Sequence, residues 1–226
     1  MQQMAAEPDV DAEPGRGGTE AVAAAIRTHI VRGRYEPGQR LAEEDMAAEH
    51  GVSRTSVREA LRVLASQGFV SVQPYFGTFV EEMTPKEAAD LIEVQGALEP
   101  LASGLAAQFR STEDIAALRA IVEEGRRVAA SGRGVEASTL HADFHARLAE
   151  ASGNEVLVGL MVNLHHKLDW AYVANVQRPA GESWDEHALI IDAIERRDAE
   201  GAVAAAHAHI DHGAAAARPA GPRSGH

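Results

Sequence analysis

Residues 41–70 read LAEEDMAAEHGVSRTSVREALRVLASQGFV, and this stretch decides the fold of the first part of the chain. The pattern predicts a short helix, a tight turn at Gly51 and a longer helix from about residue 53 to residue 67. This is the order of a helix-turn-helix. Val57, Leu61 and Leu64 share one face of the longer helix, so that face can pack on the helices before it.

The longer helix also carries a basic stripe and hydroxyl groups. Arg54, Arg58 and Arg62 follow one another at steps of four, and Ser53 and Thr55 lie at the helix N-terminus. In a recognition helix, that end meets base edges and phosphates. Arginine can bind guanine through two hydrogen bonds, and hydroxyl groups suit phosphates. The spacing alone also fits an amphipathic helix with a solvated arginine face, so both interpretations stay open at this point.

Short elements on both sides complete a small first domain. Upstream, Val22, Ile26 and Ile30 recur at four-residue steps and predict an apolar stripe on a first helix. Downstream, residues 70–73 and 78–80 predict two short strands joined by a turn. Only helical periodicity follows a break near residue 84. We therefore expect two domains, at 19–83 and 84–212, between disordered tails at 1–18 and 213–226.

Composition excludes several classes of protein. The 226 residues include no cysteine, which rules out disulfides, cysteine-based zinc fingers, iron–sulfur clusters and thiol catalysis. The longest apolar run, at 156–162, is far shorter than the ~18 residues that span a bilayer, and the N-terminus lacks a signal pattern. We expect a soluble, cytoplasmic protein with no membrane partner. The formal net charge of −13 disfavours non-specific polyanion binding but permits a local basic face.

The second domain is predicted to be an all-α helical bundle. Thr84-Pro85-Lys86-Glu87 is a capping box with proline at the first helical position, and it marks the start of the first helix. We expect six helices, at about 85–109, 112–130, 135–151, 155–177, 184–197 and 199–212. The predicted fold class is therefore mainly α: an N-terminal winged helix-turn-helix followed by a helical bundle.

Histidines are the candidate functional residues of the bundle. His141 and His145 lie at i and i+4, hence on one face of one helix. His187 and His209 lie on two later helices. Neutral imidazole is a common metal ligand, and facing helices of a bundle are a natural place for such a site. Each histidine taken alone also fits a surface or a hydrogen-bonded core residue.

The motif residues of the first domain closely resemble the winged helix-turn-helix of GntR-superfamily transcription regulators. The resemblance rests on residues 51–64, 67–70 and 77–80 and covers about 19–81. It implies binding to double-stranded operator DNA through Ser53, Arg54, Thr55, Arg58 and the wing glycine Gly77. Some members of the FadR-like branch also use a basic residue near the start of the second helix, where this chain has Glu44. Arg34 and Arg40, just upstream, are candidate substitutes.

The second domain resembles the FCD effector-binding domain of the FadR-like branch. The matching pieces are residues 98–102, 105–107, 144–145, 151–154, 186–187, 194, 198, 202 and 209–210. Metal-binding members use an aspartate and three histidines. The histidine positions fall on His145, His187 and His209, and the aspartate position falls on His141. The resemblance therefore implies a divalent transition metal held by three or four histidines. Because neutral ligands disfavour Mg²⁺ and Ca²⁺, Zn²⁺ or Ni²⁺ is expected.

The resemblance also implies a small organic acid as effector. Many members carry an arginine, thought to hold the effector's carboxylate, at the position of Gln95. Glutamine can donate a hydrogen bond but cannot form a charged fork. Either the effector is less acidic, or another basic residue such as Arg147 or Lys167 contributes.

We expect a metabolite-responsive, homodimeric regulator that acts as a repressor on a pseudo-palindromic operator. The alternatives are a metal-dependent enzyme built on the bundle and a purely structural metal site. The sequence contains no HExxH motif, nucleophile elbow or phosphate loop, which disfavours the enzyme.

Overall fold

The computed structural model describes residues 16–175 and 180–217. The chain divides into two compact units, Met1–Glu82 and Met83–His226, which we call the N-terminal unit and the helical unit. Most of the expected tails, at 1–15 and 218–226, lies outside the described residues.

The N-terminal unit is a winged helix-turn-helix. Its elements are α1 (Arg16–Val31), β1 (Arg40–Leu41), α2 (Glu43–His50), α3 (Arg54–Ser66), β2 (Val70–Gln73) and β3 (Gly77–Val80). Between α2 and α3 the chain turns at Gly51, whose φ of 65° is left-handed and favours glycine. The predicted apolar stripes are confirmed, because Ile26, Ile30, Val57 and Leu64 are all buried.

A three-stranded antiparallel sheet forms the wing, in the order β1-β3-β2. The hairpin of β2 and β3 is confirmed, with Gln73 opposite Gly77. The strand β1 was not predicted from the sequence. It is only two residues long, and it exists because Arg40 and Leu41 pair with Phe79 and Thr78 on the open edge of β3.

The helical unit consists, over the described residues, of six helices. They are α4 (Pro85–Phe109), α5 (Thr112–Ala130), α6 (Gly134–Ala151), α7 (Glu155–Asn175), α8 (Ala180–Glu195) and α9 (Ala199–Ala217). The capping box predicted at Thr84 and Glu87 is present, and Ser111 and Asp114 form a second one that starts α5. These boxes satisfy amide groups that would otherwise lack partners at the helix starts.

Apolar side chains from α4 to α9 form one core, which includes Leu118, Phe144, Met161, Trp184 and Ile190. Close packing at one point requires a glycine. A Cβ atom at Gly125 of α5 would lie 2.4 Å from ring atoms of Trp184 on α8. The bare backbone at Gly125 therefore lets this tryptophan lie flat against α5.

Two expected boundaries are wrong. Residues 16–18 begin α1, and residues 213–217 continue α9 instead of forming a disordered tail. The run His212-Gly-Ala-Ala-Ala-Ala217 is mostly alanine, the strongest helix former, so the helix extends past the single glycine. Among the described residues, no helix is both long and apolar enough to cross a membrane.

Candidate metal centre and nucleic-acid interface

Three helices bring four histidine rings together. His141 and His145 come from α6, His187 from α8 and His209 from α9, and we call these four the histidine cluster. Each offers one ring nitrogen, and these four atoms all lie within 4.8 Å of one another. The Nε2 atoms of His141 and His145 are 3.5 Å apart, and those of His187 and His209 are 3.3 Å apart.

These spacings fit a transition metal. An ion bound tetrahedrally at about 2.05 Å from each nitrogen spaces neighbouring nitrogens by about 3.3 Å, so two edges of the cluster already match. Burial, followed by repulsion from neighbouring histidines, holds the pKa of His141 and of His145 well below the usual value. Both rings are thus neutral near pH 7, the form that coordinates a metal.

The ring of His209 is held by a carboxylate from α8. Glu186 Oε2 lies 2.8 Å from Nδ1 of His209, and Glu186 Oε1 lies 2.7 Å from Nδ1 of His212. A proton on Nδ1 of His209, shared with this carboxylate, leaves the lone pair of Nε2 directed into the cluster.

A second carboxylate, Glu99 of α4, lies against the cluster and is fully buried. Its Oε2 lies 3.1 Å from His145 Nδ1 and accepts a hydrogen bond from Gln95 Nε2 at 2.8 Å. The ring of His165 on α7 stacks on His145, with centroids 3.9 Å apart. Gln95, predicted to contact an effector, is thus buried beside the cluster, and its amide is engaged with Glu99.

Arg147, the other predicted effector-binding residue, has a different environment. Its guanidinium group donates to Asp114 at 2.5 Å and to Glu150 at 2.6 Å, so it links α6 to the start of α5. It also lies two residues after His145, about 200° around the helix from that ring. Two carboxylates therefore engage Arg147 on another side of α6 from the ring of His145, and its role in effector binding stays a prediction.

In the N-terminal unit, the start of α3 presents the predicted DNA-binding residues at the surface. The Ser53 hydroxyl caps α3 by accepting from the Ser56 amide at 3.1 Å. Arg54 and Thr55 follow it, and both are exposed. The N-terminus of a helix attracts anions through its dipole and free amides, so this end suits a phosphate backbone.

Two of the predicted arginines carry carboxylate partners. Arg58 donates to both oxygens of Glu43 on α2, at 2.8 and 2.6 Å. Arg34 pairs with Glu49 at 2.5 Å. Either arginine must exchange its carboxylate for a phosphate or a base in order to contact DNA.

Arg40 and Gly77 lie together in the wing. A Cβ atom at Gly77, whose φ is 114°, would lie 2.9 Å from Arg40 Nε. Glycine therefore allows the arginine side chain to lie across β3, so the wing presents a positive charge close to its turn. The turn itself exposes Tyr75 and Phe76.

A winged helix-turn-helix joined in sequence to an all-helical unit defines a class of two-part DNA-binding regulators. Within that class, the sequence pattern described as "Bacterial regulatory proteins, gntR family" matches residues 19–80, and that of the "FCD domain" matches residues 90–212. The chain therefore belongs to the GntR family and carries an FCD domain. It is a DNA-binding transcription regulator and not an enzyme.

Relatives along most of the chain agree with this assignment. The probable D-xylose utilization operon transcriptional repressor of Paenarthrobacter nicotinovorans is 30% identical over 198 residues, covering 84% of this chain and 86% of that protein. The HTH-type regulator YdhC of Bacillus subtilis (strain 168) is 26% identical over 190 residues, covering 83% and 85%. The solved structure of E. coli McbR/YncC has the same fold, with a TM-score of 0.77 at 23% identity, covering 88% of this chain and 95% of that one.

Sequence reasoning missed four residues around these sites: Glu43, Glu99, His165 and Glu186. Glu186 directly precedes the predicted ligand His187, and Glu99 lies one helical turn after Gln95. Both could therefore have been predicted as part of the site from their spacing in the sequence. His165 lies on α7 and gave no signal, because only the packing of α7 against α6 brings its ring onto His145.

Proposed function

We propose that this regulator changes its affinity for operator DNA when a small carboxylate effector binds at a divalent transition metal in the helical unit. The observation that carries the proposal is the convergence of four histidine Nε2 atoms from three helices. Zn²⁺ or Ni²⁺ suits an all-imidazole donor set.

A carboxylate effector would be recognised by the bound ion and not by a charged side chain at position 95. An ion held by three of the histidines, or one that expands beyond four ligands, has an open coordination position that attracts a carboxylate oxygen. Gln95 carries no charge and already donates to Glu99, so it offers no charged fork to such an effector. The charge that recognises the effector is therefore assigned to the ion.

On the DNA side, we propose a homodimer that reads a pseudo-palindromic operator. Two-fold protein symmetry matches two-fold operator symmetry, with one α3 per half-site. Arg54 is the leading base-contacting residue, Ser53 and Thr55 are assigned to the DNA backbone, and Arg34, Arg40, Arg58 and Gly77 are the further candidates for DNA contact. Repression is the favoured outcome, since relatives include proteins named as repressors of D-xylose utilization and gluconate operons.

Elemental analysis of protein purified without chelators, from zinc- and nickel-replete cells, tests the metal site directly. We expect one ion per chain in the natural protein and none in His187→Ala. The matched control is His207→Ala, since His207 is exposed on α9 two residues from His209. A metal content near zero in the natural protein would refute the site. Unchanged affinity in His141→Ala would leave a three-histidine site.

Operator titration separates an effector site from a structural metal site. A panel of small carboxylates is first screened by thermal shift on the metal-loaded protein, because a ligand of the folded state raises its stability. The stabilising acids are then added to a gel shift with the DNA upstream of the gene. We expect them to change operator affinity in the natural protein but not in His187→Ala. Operator binding indifferent to every stabilising acid would favour a structural role.

A further inference from the structure

Two histidines of the cluster have a carboxylate on the far side of the ring. Glu186 Oε2 lies 2.8 Å from Nδ1 of His209, and Glu99 Oε2 lies 3.1 Å from Nδ1 of His145. In both rings the opposite nitrogen, Nε2, faces the other histidines of the cluster. The two carboxylates come from different helices, α8 and α4, and they contact two different rings of the cluster.

Glu99 lies where a carboxylate needs a cation. It is 0% exposed, and its Oε1 has no hydrogen-bond partner. Within ion-pair distance it has only histidines over the described part of the chain: His145, His165 and His209. An isolated buried carboxylate is strongly disfavoured, so such groups are paired with a positive charge or a metal.

The histidine cluster has the opposite requirement. Four neutral imidazoles contribute no negative charge, so a divalent ion among them would keep its full charge in a buried site. Glu99 and Glu186 are two carboxylates that touch cluster histidines: Glu99 lies near His145 and His209, and Glu186 lies near His209. Glu99 Oε1 lies only 3.9 Å from His209 Nε2, so this carboxylate borders the space in which the nitrogens converge.

We propose that Glu99 and Glu186 are positioning residues of the metal centre: they hold the rings of His145 and His209 through Nδ1 and supply the negative charge that the donor set lacks. This inference rests on the proposed metal site. Gln95 fixes Glu99 by donating to its Oε2. The contact between Glu99 and His145 has the length of a hydrogen bond but not its direction, and we expect it to tighten when an ion draws the Nε2 atoms together.

The test measures metal affinity. Zn²⁺ affinity is measured by competition with a chromophoric chelator, and Co²⁺ absorption reports whether the donor set is intact. Loss of a carboxylate behind a metal ligand weakens metal binding about 10- to 100-fold. We expect this loss in Glu99→Gln and in Glu186→Gln, with a Co²⁺ spectrum close to that of the natural protein. The matched control is Glu150→Gln, since Glu150 is an exposed carboxylate of α6 that pairs with Arg147. It should bind as the natural protein does.

A second substitution separates charge from mere structural support. His141→Asp places a carboxylate among the ligands, so in the Glu99→Gln background it should recover at least about tenfold of the lost affinity. No recovery would overturn the charge-balancing role. Normal affinity in both Gln variants would overturn the inference while leaving the metal site intact, whereas an absence of binding in the natural protein would refute the site itself. If Glu99→Gln does not fold, Glu186→Gln, whose side chain is partly exposed, decides the question.

Discussion

The predicted DNA-contacting arginines Arg34 and Arg58 of the N-terminal unit lie at its surface, whereas the ionisable side chains at the centre of the helical unit are buried. The side chains of Arg34 and Arg58 are 58% and 48% exposed, and each pairs with a carboxylate that water or DNA can replace. Glu99 and His145 are 0% exposed and contact each other. Surface pairs of the first kind contribute little to stability and remain available to a polyanion. Groups of the second kind destabilise the fold unless a proton or a cation compensates them.

The largest expected effect that follows from this contrast is the pH dependence of the metal-free helical unit. Burial, as the largest cause, lowers the pKa of His141, His145 and His165 well below that of an unfolded chain, which is about 6.5. Well above pH 6.5 these histidines are unprotonated in both the folded and the unfolded state, so they do not lower the free energy of unfolding. Below pH 6.5 the unfolded chain binds protons at these histidines whereas the folded chain does not, so the free energy of unfolding falls. Three sites act together, and each pKa unit is worth about 1.4 kcal/mol.

Urea denaturation in the presence of EDTA, between pH 7.5 and 5.5, measures this dependence. Tryptophan fluorescence reports on the helical unit alone, since the two tryptophans are Trp170 and Trp184. His165→Phe should flatten the pH dependence, whereas His207→Ala, at an exposed histidine, should preserve it. A denaturation midpoint that stays constant across this range would contradict the proposed burial of neutral rings.

The next effect concerns packing around the buried site. Gly125→Ala places a methyl group 2.4 Å from the Trp184 ring and should destabilise the helical unit by about 1–3 kcal/mol. The matched control is Gly159→Ala on α7, where an added Cβ meets nothing within 4 Å. That change should leave stability unchanged or raise it by up to about 1 kcal/mol, because alanine is the better helix former. Equal stability of both variants in urea would mean that Trp184 has room to move.

An effect of similar size is expected on operator binding, without a loss of stability. Arg54→Ala should weaken binding by about 1–3 kcal/mol if the arginine contacts a base. Arg58→Ala should cost less, because Arg58 gives up a two-point contact with Glu43 when it turns to DNA. Arg62→Ala, at the far end of the basic stripe, serves as the control. If all three variants bound the operator as tightly as the natural protein does, α3 would not be part of the DNA interface.

The sequence predicted those features that depend on neighbours along the chain. The helix-turn-helix follows from the apolar steps at Val57, Leu61 and Leu64, and the start of α4 follows from Thr84 and Glu87. Both depend on periodicity or on a cap within four residues. The strand β1 was missed, because two residues carry no periodicity and pair only once β3 exists.

The candidate site was predictable to a smaller extent. Family resemblance gave the positions of the four histidines, but it assigned no role at the site to Glu99 and did not include His165. Which carboxylate faces which ring is set by the packing of α4, α6 and α7, and contacts between such distant segments leave no local pattern. The same holds for Arg147, whose partner Asp114 lies on a different helix.

The smallest expected effect is the loss of stability when a helix cap is removed, and each unit offers one cap for the comparison. The hydroxyl of Ser53 accepts from the Ser56 amide at the start of α3, and that of Ser111 accepts from the Asp114 amide at the start of α5, each at 3.1 Å. Replacing either serine by alanine should cost about 1 kcal/mol of stability. Native-state hydrogen exchange at the amides of each helix measures the two losses independently. Operator affinity should fall only for Ser53→Ala, because this hydroxyl lies at the proposed DNA-facing end, whereas Ser111 belongs to the helical unit. If both variants lost stability equally and neither lost affinity, Ser53 would be only a cap and the phosphate contact would have to come from Thr55.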